Sequence, residues 1–230
     1  MPKHRAATGI PAEPTASQLL LDQSKRGRMI KRAGDIVFSL LVLALGSPLF
    51  LLLALLVKLS SRGSVFYSQR RIGRGYKGFG CLKFRTMRKD ADRVLASVLA
   101  ADPELRAEFE RDHKLRNDPR ITPLGKLLRR SSLDELPQFL NVLKGQMSVV
   151  GPRPIVWEEL PRYGRAMDEV LSVRPGLTGL WQVSGRNNLS YRQRVQMDLE
   201  YVRHRSFWLD LRIVLRTVGV VLLPMDRGAY

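Results

Sequence analysis

The chain has 230 residues, and its 39 lysines and arginines against 21 aspartates and glutamates give a net charge of +18. This length allows one sizeable core plus appendages, and the charge indicates an anionic partner, such as nucleic acid, a phospholipid surface or a phosphorylated substrate. A single cysteine excludes an intrachain disulfide, and with only three scattered histidines it argues against a zinc site.

The first predicted elements are a tail and a long apolar segment. Residues 1–28 are rich in Ala, Pro, Thr and Ser and are predicted to be flexible. Residues 36–59 would reach roughly 36 Å as one helix, enough to cross a bilayer, but Ser47-Pro48 in the middle predicts a kink. Both flanks are basic, and the positive-inside rule places such flanks on the cytoplasmic side. We therefore expect residues 29–60 to form a re-entrant hairpin, with a kinked spanning helix as the alternative.

The next predicted element is a β-hairpin over residues 65–87. Side chains that favour strands lie on both sides of a glycine-rich connection, residues 73–78. The glycines do not have P-loop spacing, so a nucleotide cradle of that type is not supported. Lys83 and Arg85 alternate with apolar residues, which places both cations on one strand face. That face is turned either toward solvent or toward a phosphate.

The rest of the chain is predicted to be mainly helical. Asp102-Pro103 marks a break between two helices, with Asp as the cap, and Thr122-Pro123 opens a short helix. The last apolar stretch is too interrupted by charge to span a membrane, and it either lies in the membrane interface or packs on the domain. The predicted helical stretches are residues 89–116, 124–130, 155–173, 190–204 and 207–223.

Residues 131–154 contain the pattern most suggestive of chemistry. Asp134 and Glu135 follow Arg129 closely, and Arg153 lies between two prolines. Arginine binds phosphate oxygens bidentately, and a carboxylate can attack phosphorus or hold a metal. The same Ser-Leu-Asp-Glu sequence also fits a capping box, which would make the acidic pair the first turn of a helix. On residue types alone the cap is favoured, and the phosphate site remains the alternative.

Several motifs, in order along the chain, resemble the bacterial sugar transferases, the monotopic polyprenyl-phosphate phosphoglycosyl transferases. They are KRAGDIVFSL, VFYSQRRIGRGYKGF, CLKFRTM, NDPRITPLGKLLRRSSLDELPQFLNVLKGQMSVVGPRP and RPGLTGLWQVSGRN. The resemblance covers nearly everything after the tail and is strongest to the succinoglycan-type exopolysaccharide enzymes that transfer galactose phosphate. It implies an α+β fold, mostly helical with a small β-hairpin. Residues 29–60 would form a re-entrant membrane helix kinked at Ser47-Pro48, and residues 61–230 a cytosolic catalytic domain at the bacterial inner membrane.

The resemblance also implies roles for the acidic pair. Asp134 would attack the sugar phosphate of a UDP-sugar, releasing UMP and forming an aspartyl phospho-sugar. Glu135 would assist, either near Mg²⁺ or by readying the acceptor, and both carboxylates are implied metal ligands. The implied phosphate- and substrate-binding residues are Arg129, Arg153, Arg85 and Lys83. Candidates for contacts with the nucleotide sugar are Trp181, Gln182 and Arg186.

The predicted reaction is transfer of galactose- or glucose-1-phosphate from a UDP-sugar to undecaprenyl phosphate, the first membrane step of exopolysaccharide synthesis. Expected partners are both substrates, anionic inner-membrane lipids, downstream glycosyltransferases and a second copy of the chain, but no nucleic acid. A membrane-anchored basic binding protein is one alternative, but it leaves the acidic pair and the proline-bracketed arginine unexplained. An inactive scaffold is the other, and the intact motif residues argue against it.

Overall fold

A computed structural model describes residues 25–112, 115, 117–185 and 188–222 of the chain. Most of the predicted tail, residues 1–24, lies outside these described residues. So does Arg186, one of the three predicted contacts with the nucleotide sugar.

The first two helices form a bent pair, α1 (Lys25–Leu45) and α2 (Ser47–Ser60). Pro48 lies in the first turn of α2, where its missing N–H is not needed, and the Ser47 hydroxyl donates to the Ala44 carbonyl at 2.8 Å. The two axes differ in direction by 66°. Among the described residues no single helix has the length and apolar character to cross a membrane, whereas this bent pair has them as a broken span or a re-entrant loop. The predicted kink is confirmed, and the helix starts at Lys25, ahead of the predicted residue 29.

The outer surface of this helix pair is apolar. Leu45, Leu51 and Leu59 are each more than two-thirds exposed, while Leu53 and Val57 are buried against the rest of the protein. An exposed apolar surface of this extent marks an interaction site, and the two leucine-rich helices suit contact with lipid.

The hairpin is confirmed as strands β1 (Phe66–Ile72) and β2 (Gly78–Phe84), which pair antiparallel with Phe66 opposite Phe84. The connection makes a short 3-10 turn in which Gly75 has φ of 64°, a conformation that a side chain disfavours. Lys83 lies in β2, whereas Arg85 follows the end of the strand.

Two predicted helix starts are also confirmed. The Asp102 carboxylate accepts the backbone N–H of Glu104 at 2.9 Å, and the Thr122 hydroxyl accepts that of Gly125 at 2.9 Å. The stretch after Pro154 is not one helix, because 3-10 turns interrupt it. The remaining helices are α3 (Ala91–Ala101), α4 (Pro103–Asp112), α5 (Pro123–Arg130), α6 (Gln138–Leu143), α7 (Leu160–Tyr163), α8 (Met167–Val170), α9 (Leu180–Ser184), α10 (Tyr191–His204) and α11 (Phe207–Leu222).

A second, parallel pair of strands was not predicted: β3 (Ser148–Val150) and β4 (Gly176–Thr178). Beyond β3, the Gly151 N–H donates to the Thr178 carbonyl at 3.0 Å, and the Gly176 N–H donates to the Pro152 carbonyl at 2.8 Å. A Cβ atom on Gly176 would lie 2.2 Å from the backbone nitrogen of Gly151, so only glycine allows this approach. These contacts fix the loop that carries Arg153.

Buried polar contacts dock α1 onto the rest of the protein. The Asp35 carboxylate accepts the Ser148 hydroxyl at 2.8 Å and the Val149 N–H at 3.1 Å. The Lys31 ammonium lies 2.9 Å from Asp35 and 2.8 Å from Asp210 of α11. The apolar helix is therefore held against β3 and α11 by charge as well as by packing.

Candidate active site

The segment after α5 is a turn rather than the predicted capped helix. Ser132 has φ of 57°, in the left-handed region, and its side chain makes no capping hydrogen bond. Leu133–Glu135 form a single 3-10 turn, and α6 begins only at Gln138. The predicted capping box, and the helix N-terminus it implied at Ser132, are therefore wrong, because an N-cap requires an extended backbone. The acidic pair is held by a tight turn instead.

Asp134 is a buried carboxyl group, with 6% of its surface exposed. Burial raises the pKa of Asp134 to about 6, and the neighbouring Glu135 charge acts in the same direction. The positive charges of Lys83 and Arg129 oppose this rise. The group is therefore mostly ionised at neutral pH while being poorly solvated, which is a state suited to attack on an electrophile.

Glu135 is paired with Lys83, which reaches across from β2. The Lys83 ammonium donates to Glu135 Oε1 at 2.6 Å and lies 3.9 Å from Asp134 Oδ2. Burial favours the neutral form of Glu135, but Lys83, followed by Arg153 and Arg71, outweighs it and lowers the pKa of this carboxyl. The structure thus brings together Asp134, Glu135 and Lys83 as predicted.

Arg129 acts electrostatically on Asp134, and Arg153 acts on Glu135. The Arg129 Nε donates to the Thr86 hydroxyl at 2.9 Å, and no other described residue hydrogen-bonds to its terminal nitrogens. The Arg153 guanidinium lies over the Trp181 ring, 5.8 Å from its centre. Both predicted phosphate-binding arginines therefore have a supported position beside the carboxylates.

The structure adds Arg71 of β1, which lies in the basic flank that follows the apolar segment. Arg71 donates to the Pro154 carbonyl at 3.1 Å and to Gln69 Oε1 at 2.8 Å. Burial and the neighbouring Arg153 charge lower the pKa of Arg71, so two guanidinium groups lie side by side here. Side chains alternate between the two faces of a strand, which places Arg71 of β1 on the same face of the hairpin as Lys83 of β2. This alternation was the one sequence signal that could have indicated the position of Arg71.

A buried carboxyl group, Asp198 of α10, supports the Arg153 loop. Burial raises the pKa of Asp198 to about 7. Hydrogen bonds from the Tyr163 hydroxyl, at 2.9 Å, and from the backbone of Arg153 oppose this rise. The guanidinium group of Arg194, also in α10, lies over the Trp181 ring, 4.9 Å from its centre. No sequence pattern indicated these residues, because they meet only through the tertiary fold.

Two of the predicted nucleotide-sugar contacts can be placed. Trp181 is buried between two arginines, and Gln182 donates to the Leu177 carbonyl at 3.4 Å. Trp181 therefore reaches the site by supporting Arg153. Direct contact of either residue with a nucleotide stays a prediction.

Arg85 lies apart from the acidic pair and binds the end of α2. Its guanidinium donates to the carbonyls of Ser61 at 2.6 Å and Val57 at 3.2 Å, and also to that of Ser64. These carbonyls lie at or just beyond the C-terminal end of α2, where backbone oxygens suit a cation. Arg85 therefore connects the membrane helix to the hairpin, and the predicted phosphate-facing orientation alongside Lys83 is not observed.

We expect Arg85→Ala to reduce the free energy of unfolding by about 2–3 kcal/mol, because hydrogen bonds from a charged group to three carbonyls are lost. The KM for the sugar donor that the family resemblance implies should stay within about twofold of wild type. Thermal unfolding in detergent, together with donor titration, measures both. Arg88→Ala is the control, since Arg88 is exposed and its one ion-pair partner among the described residues is Asp90. A large rise in KM without loss of stability would support the original prediction that Arg85 binds the phosphate of the substrate.

The acidic pair also fits a magnesium ion that arrives with a diphosphate. Among the described residues no group of three or more histidine, cysteine or acidic side chains could hold a metal by itself. Mg²⁺ usually binds one or two protein carboxylates and completes its shell with substrate phosphates and water. Asp134 and Glu135 supply such a pair, provided that Lys83 releases Glu135.

Known proteins similar to this chain are sugar transferases. The chain is 53% identical over 203 residues to an uncharacterized sugar transferase of Haemophilus influenzae, covering 88% of this chain and 42% of that protein. It is 51% identical over 204 residues to the exopolysaccharide production protein ExoY of Rhizobium meliloti, covering 89% of each. It is 50% identical over 206 residues to the undecaprenyl-phosphate galactose phosphotransferase of Salmonella typhimurium, covering 90% of this chain and 43% of that protein. The chain thus spans most of ExoY but less than half of the other two.

The match to the family described as bacterial sugar transferase covers residues 26–224. That range includes the bent helix pair, the hairpin and the whole acidic site. The extent of this match and the identity to the relatives confirm the family predicted from the motifs. The chain belongs to the bacterial sugar transferase family.

Proposed function

We propose that the protein transfers a hexose-1-phosphate from a UDP-sugar to undecaprenyl phosphate, releasing UMP, at the start of exopolysaccharide synthesis. The observation that carries this proposal is a buried carboxylate, Asp134, beside the cations Lys83 and Arg129, with Arg153 acting on its neighbour Glu135. The same fold joins this site to an exposed apolar helix pair. The name of the Salmonella typhimurium relative, an undecaprenyl-phosphate galactose phosphotransferase, supports this reaction class. The name of the Rhizobium meliloti relative supports a role in exopolysaccharide production.

The proposed reaction consists of two successive displacements at one phosphorus atom. First, an Asp134 carboxylate oxygen forms a bond to the β-phosphorus of the UDP-sugar, and the bond from this phosphorus to the bridging oxygen breaks. UMP leaves with that electron pair. Then a phosphate oxygen of undecaprenyl phosphate attacks the same phosphorus and displaces the carboxylate. Asp134 is restored, and the product is undecaprenyl-diphospho-hexose.

The surrounding cations act mainly by position and charge. Phosphoryl transfer depends on holding the reactants in line and neutralising charge on the phosphate oxygens. Within the described part of the chain no hydrogen bond occupies the terminal guanidinium nitrogens of Arg129 and Arg153, and each residue is held through another part of its side chain or its loop. Bound Mg²⁺, held by Asp134 and Glu135 with the diphosphate, would neutralise further negative charge.

The location proposed for this reaction is the cytoplasmic face of the bacterial inner membrane. The bent pair α1–α2 exposes leucines along its outer surface, and α11 exposes Phe207, Trp208 and Leu215. A re-entrant pair would keep the basic residues at both of its ends on one side, in agreement with the positive-inside rule. A lipid acceptor would then meet a catalytic site that stands at the membrane surface.

The experiment is UMP release from the purified protein in nanodiscs, with UDP-galactose or UDP-glucose, undecaprenyl phosphate and Mg²⁺. We expect release that requires the lipid and stops when EDTA replaces Mg²⁺. UDP-galactose is the first choice of donor, because the Salmonella typhimurium relative is named for galactose. Before the lipid is added, mass spectrometry should detect a hexose phosphate on a peptide that contains Asp134.

The outcomes separate the parts of the proposal. Release with UDP-glucose alone would change the sugar and keep the reaction. A hexose phosphate on any residue other than Asp134 would contradict the assigned nucleophile. Undiminished release in EDTA would contradict the role of the metal. Absence of lipid-dependent UMP release with every UDP-hexose and UDP-amino sugar tried would contradict the reaction itself.

A further inference from the structure

A cavity of about 1400 Å³ lies between α1, the connection of the β1–β2 hairpin, β3, α8 with the turns that flank it, the end of α10 and the first half of α11. Its lining includes none of the residues assigned above to the acidic site. This volume exceeds the usual range for pockets that hold small molecules. The cavity therefore requires an explanation separate from the transfer reaction.

One wall of this cavity is apolar and continues onto the surface assigned to the membrane. Ile30 and Phe38 contribute from α1, and Leu211 and Val214 contribute from α11. Ile30 is 61% exposed, so this wall reaches the outer face of the helix pair. An apolar chain entering from the lipid phase would remain in apolar surroundings along this wall.

The polar part of the lining carries positive charge that its carboxylates do not pair. Arg74, Arg165, Arg174 and Arg205 line the cavity, and none of them forms an ion pair with a carboxylate of the described residues. The carboxylates in the lining are already bound by other groups. Asp35 and Asp210 share Lys31, Glu169 accepts two bonds from Arg203, and Asp168 accepts the Tyr76 hydroxyl at 2.6 Å.

Arg74 is close enough to both Arg174 and Arg205 to act on them electrostatically. Burial lowers the pKa of Arg205, and the charges of Arg28 and Arg74 act in the same direction, against Tyr201 and Asp210. Burial and then Arg74 lower the pKa of Arg174. The Arg205 Nε is buried and has no hydrogen-bond partner in the described part of the chain. A buried donor without an acceptor, among cations that repel each other, is unfavourable unless an anion is present. The cluster therefore has the character of an anion site.

We propose that this cavity binds one anionic phospholipid, with its phosphate on Arg74, Arg174 and Arg205 and an acyl chain along the apolar wall. A free phosphate would leave the apolar wall uncovered, and a zwitterionic lipid would bring a cation toward the arginines. The bound lipid would join α1 to α11, in addition to the contacts that Lys31 makes between them. This inference is independent of the transfer reaction proposed above.

The test is native mass spectrometry of the purified protein in detergent, titrated with dioleoyl phosphatidylglycerol or dioleoyl phosphatidylcholine. We expect one phosphatidylglycerol per chain, bound at least tenfold more tightly than phosphatidylcholine. The double variant Arg74→Gln/Arg205→Gln should weaken phosphatidylglycerol binding by about tenfold or more. The control Arg62→Gln/Arg70→Gln removes the same charge at two exposed positions outside the cavity and should leave binding within twofold of wild type.

Several results would overturn the proposal. Equal binding of the two lipids by the wild type would mean that the arginines select no headgroup, and this result needs no variant. Equal losses in the two double variants would mean that binding depends only on total charge. Complete displacement of phosphatidylglycerol by inorganic phosphate would mean that the site takes the anion alone. Tighter lipid binding after removal of residues 1–24 would identify that segment as the occupant.

Discussion

Asp134→Asn is expected to abolish UMP release while making the protein more stable at pH 8. Asparagine keeps the size of the side chain but cannot form the bond to phosphorus, so activity should fall by about 10⁴-fold or more. The assay is UMP release in nanodiscs with the donor that the wild type uses. A variant that keeps even a tenth of wild-type release would exclude Asp134 as the nucleophile.

The stability effect follows from the pKa of Asp134, which burial raises from 3.8 to about 6. The folded protein holds this proton more tightly than the unfolded chain does. Protonation therefore stabilises the fold at acid pH, and that stabilisation is lost as the pH rises through about 6. At pH 8 the buried charge costs roughly 3 kcal/mol, and asparagine removes that cost. The advantage of the variant should shrink below pH 6 and disappear near pH 4.

Asp118→Asn provides a matched control with the opposite sign. Asp118 is also buried, but its pKa is lowered, because the hydrogen bonds from Arg120, at 2.7 to 3.1 Å, outweigh the effect of burial. Its ionised form stabilises the fold at neutral pH, and that contribution is lost as the pH falls through the lowered pKa. Asp118→Asn should therefore lower the unfolding temperature at pH 8, where Asp134→Asn raises it. A loss of stability in both variants at pH 8 would contradict the inference that the buried charge of Asp134 destabilises the fold.

The features that the sequence predicted well are those encoded within a few residues. Pro48 lacks a backbone donor, and Gly75 tolerates positive φ, so the bend and the hairpin connection could be located from the residues alone. Asp102 and Thr122 cap helices through bonds to residues two or three positions later, which are local as well. The mostly helical fold class followed from such signals together with the family resemblance.

The features that the sequence did not predict depend on contacts between distant segments. Ser132 fits a capping box by its neighbours, but the approach of Lys83 from β2 to Glu135 favours a tight turn that presents both carboxylates. The parallel pairing of β3 with β4 joins segments more than twenty residues apart. Each strand has only three residues, which is too short for a periodic hydrophobic pattern to indicate it. Arg85 was assigned by its alternation with Lys83, yet the strand ends at Phe84 and that alternation no longer applies.

Lys83→Met is expected to move the acid limb of the pH–rate profile upward. Lys83 lies 2.6 Å from Glu135 and 3.9 Å from Asp134, and after burial its charge is the largest influence on the pKa of Asp134. In the wild type, kcat/KM should fall about tenfold for each pH unit below about 6, since only the ionised carboxylate attacks. Without the ammonium the midpoint should rise by about 1 pH unit or more.

The direction of this shift can be checked from the other side of the pair. Glu135→Gln removes a negative charge that raises the pKa of Asp134, so its midpoint should move to lower pH. Lys83→Arg keeps the positive charge and should keep the midpoint near the wild-type value, even if activity falls because the geometry of the contact changes. Midpoints that move upward in Lys83→Met and downward in Glu135→Gln would identify Asp134 as the titrating group. Identical midpoints in all three variants would show that the acid limb belongs to another group, such as the substrate phosphate, and that Lys83 does not tune the nucleophile.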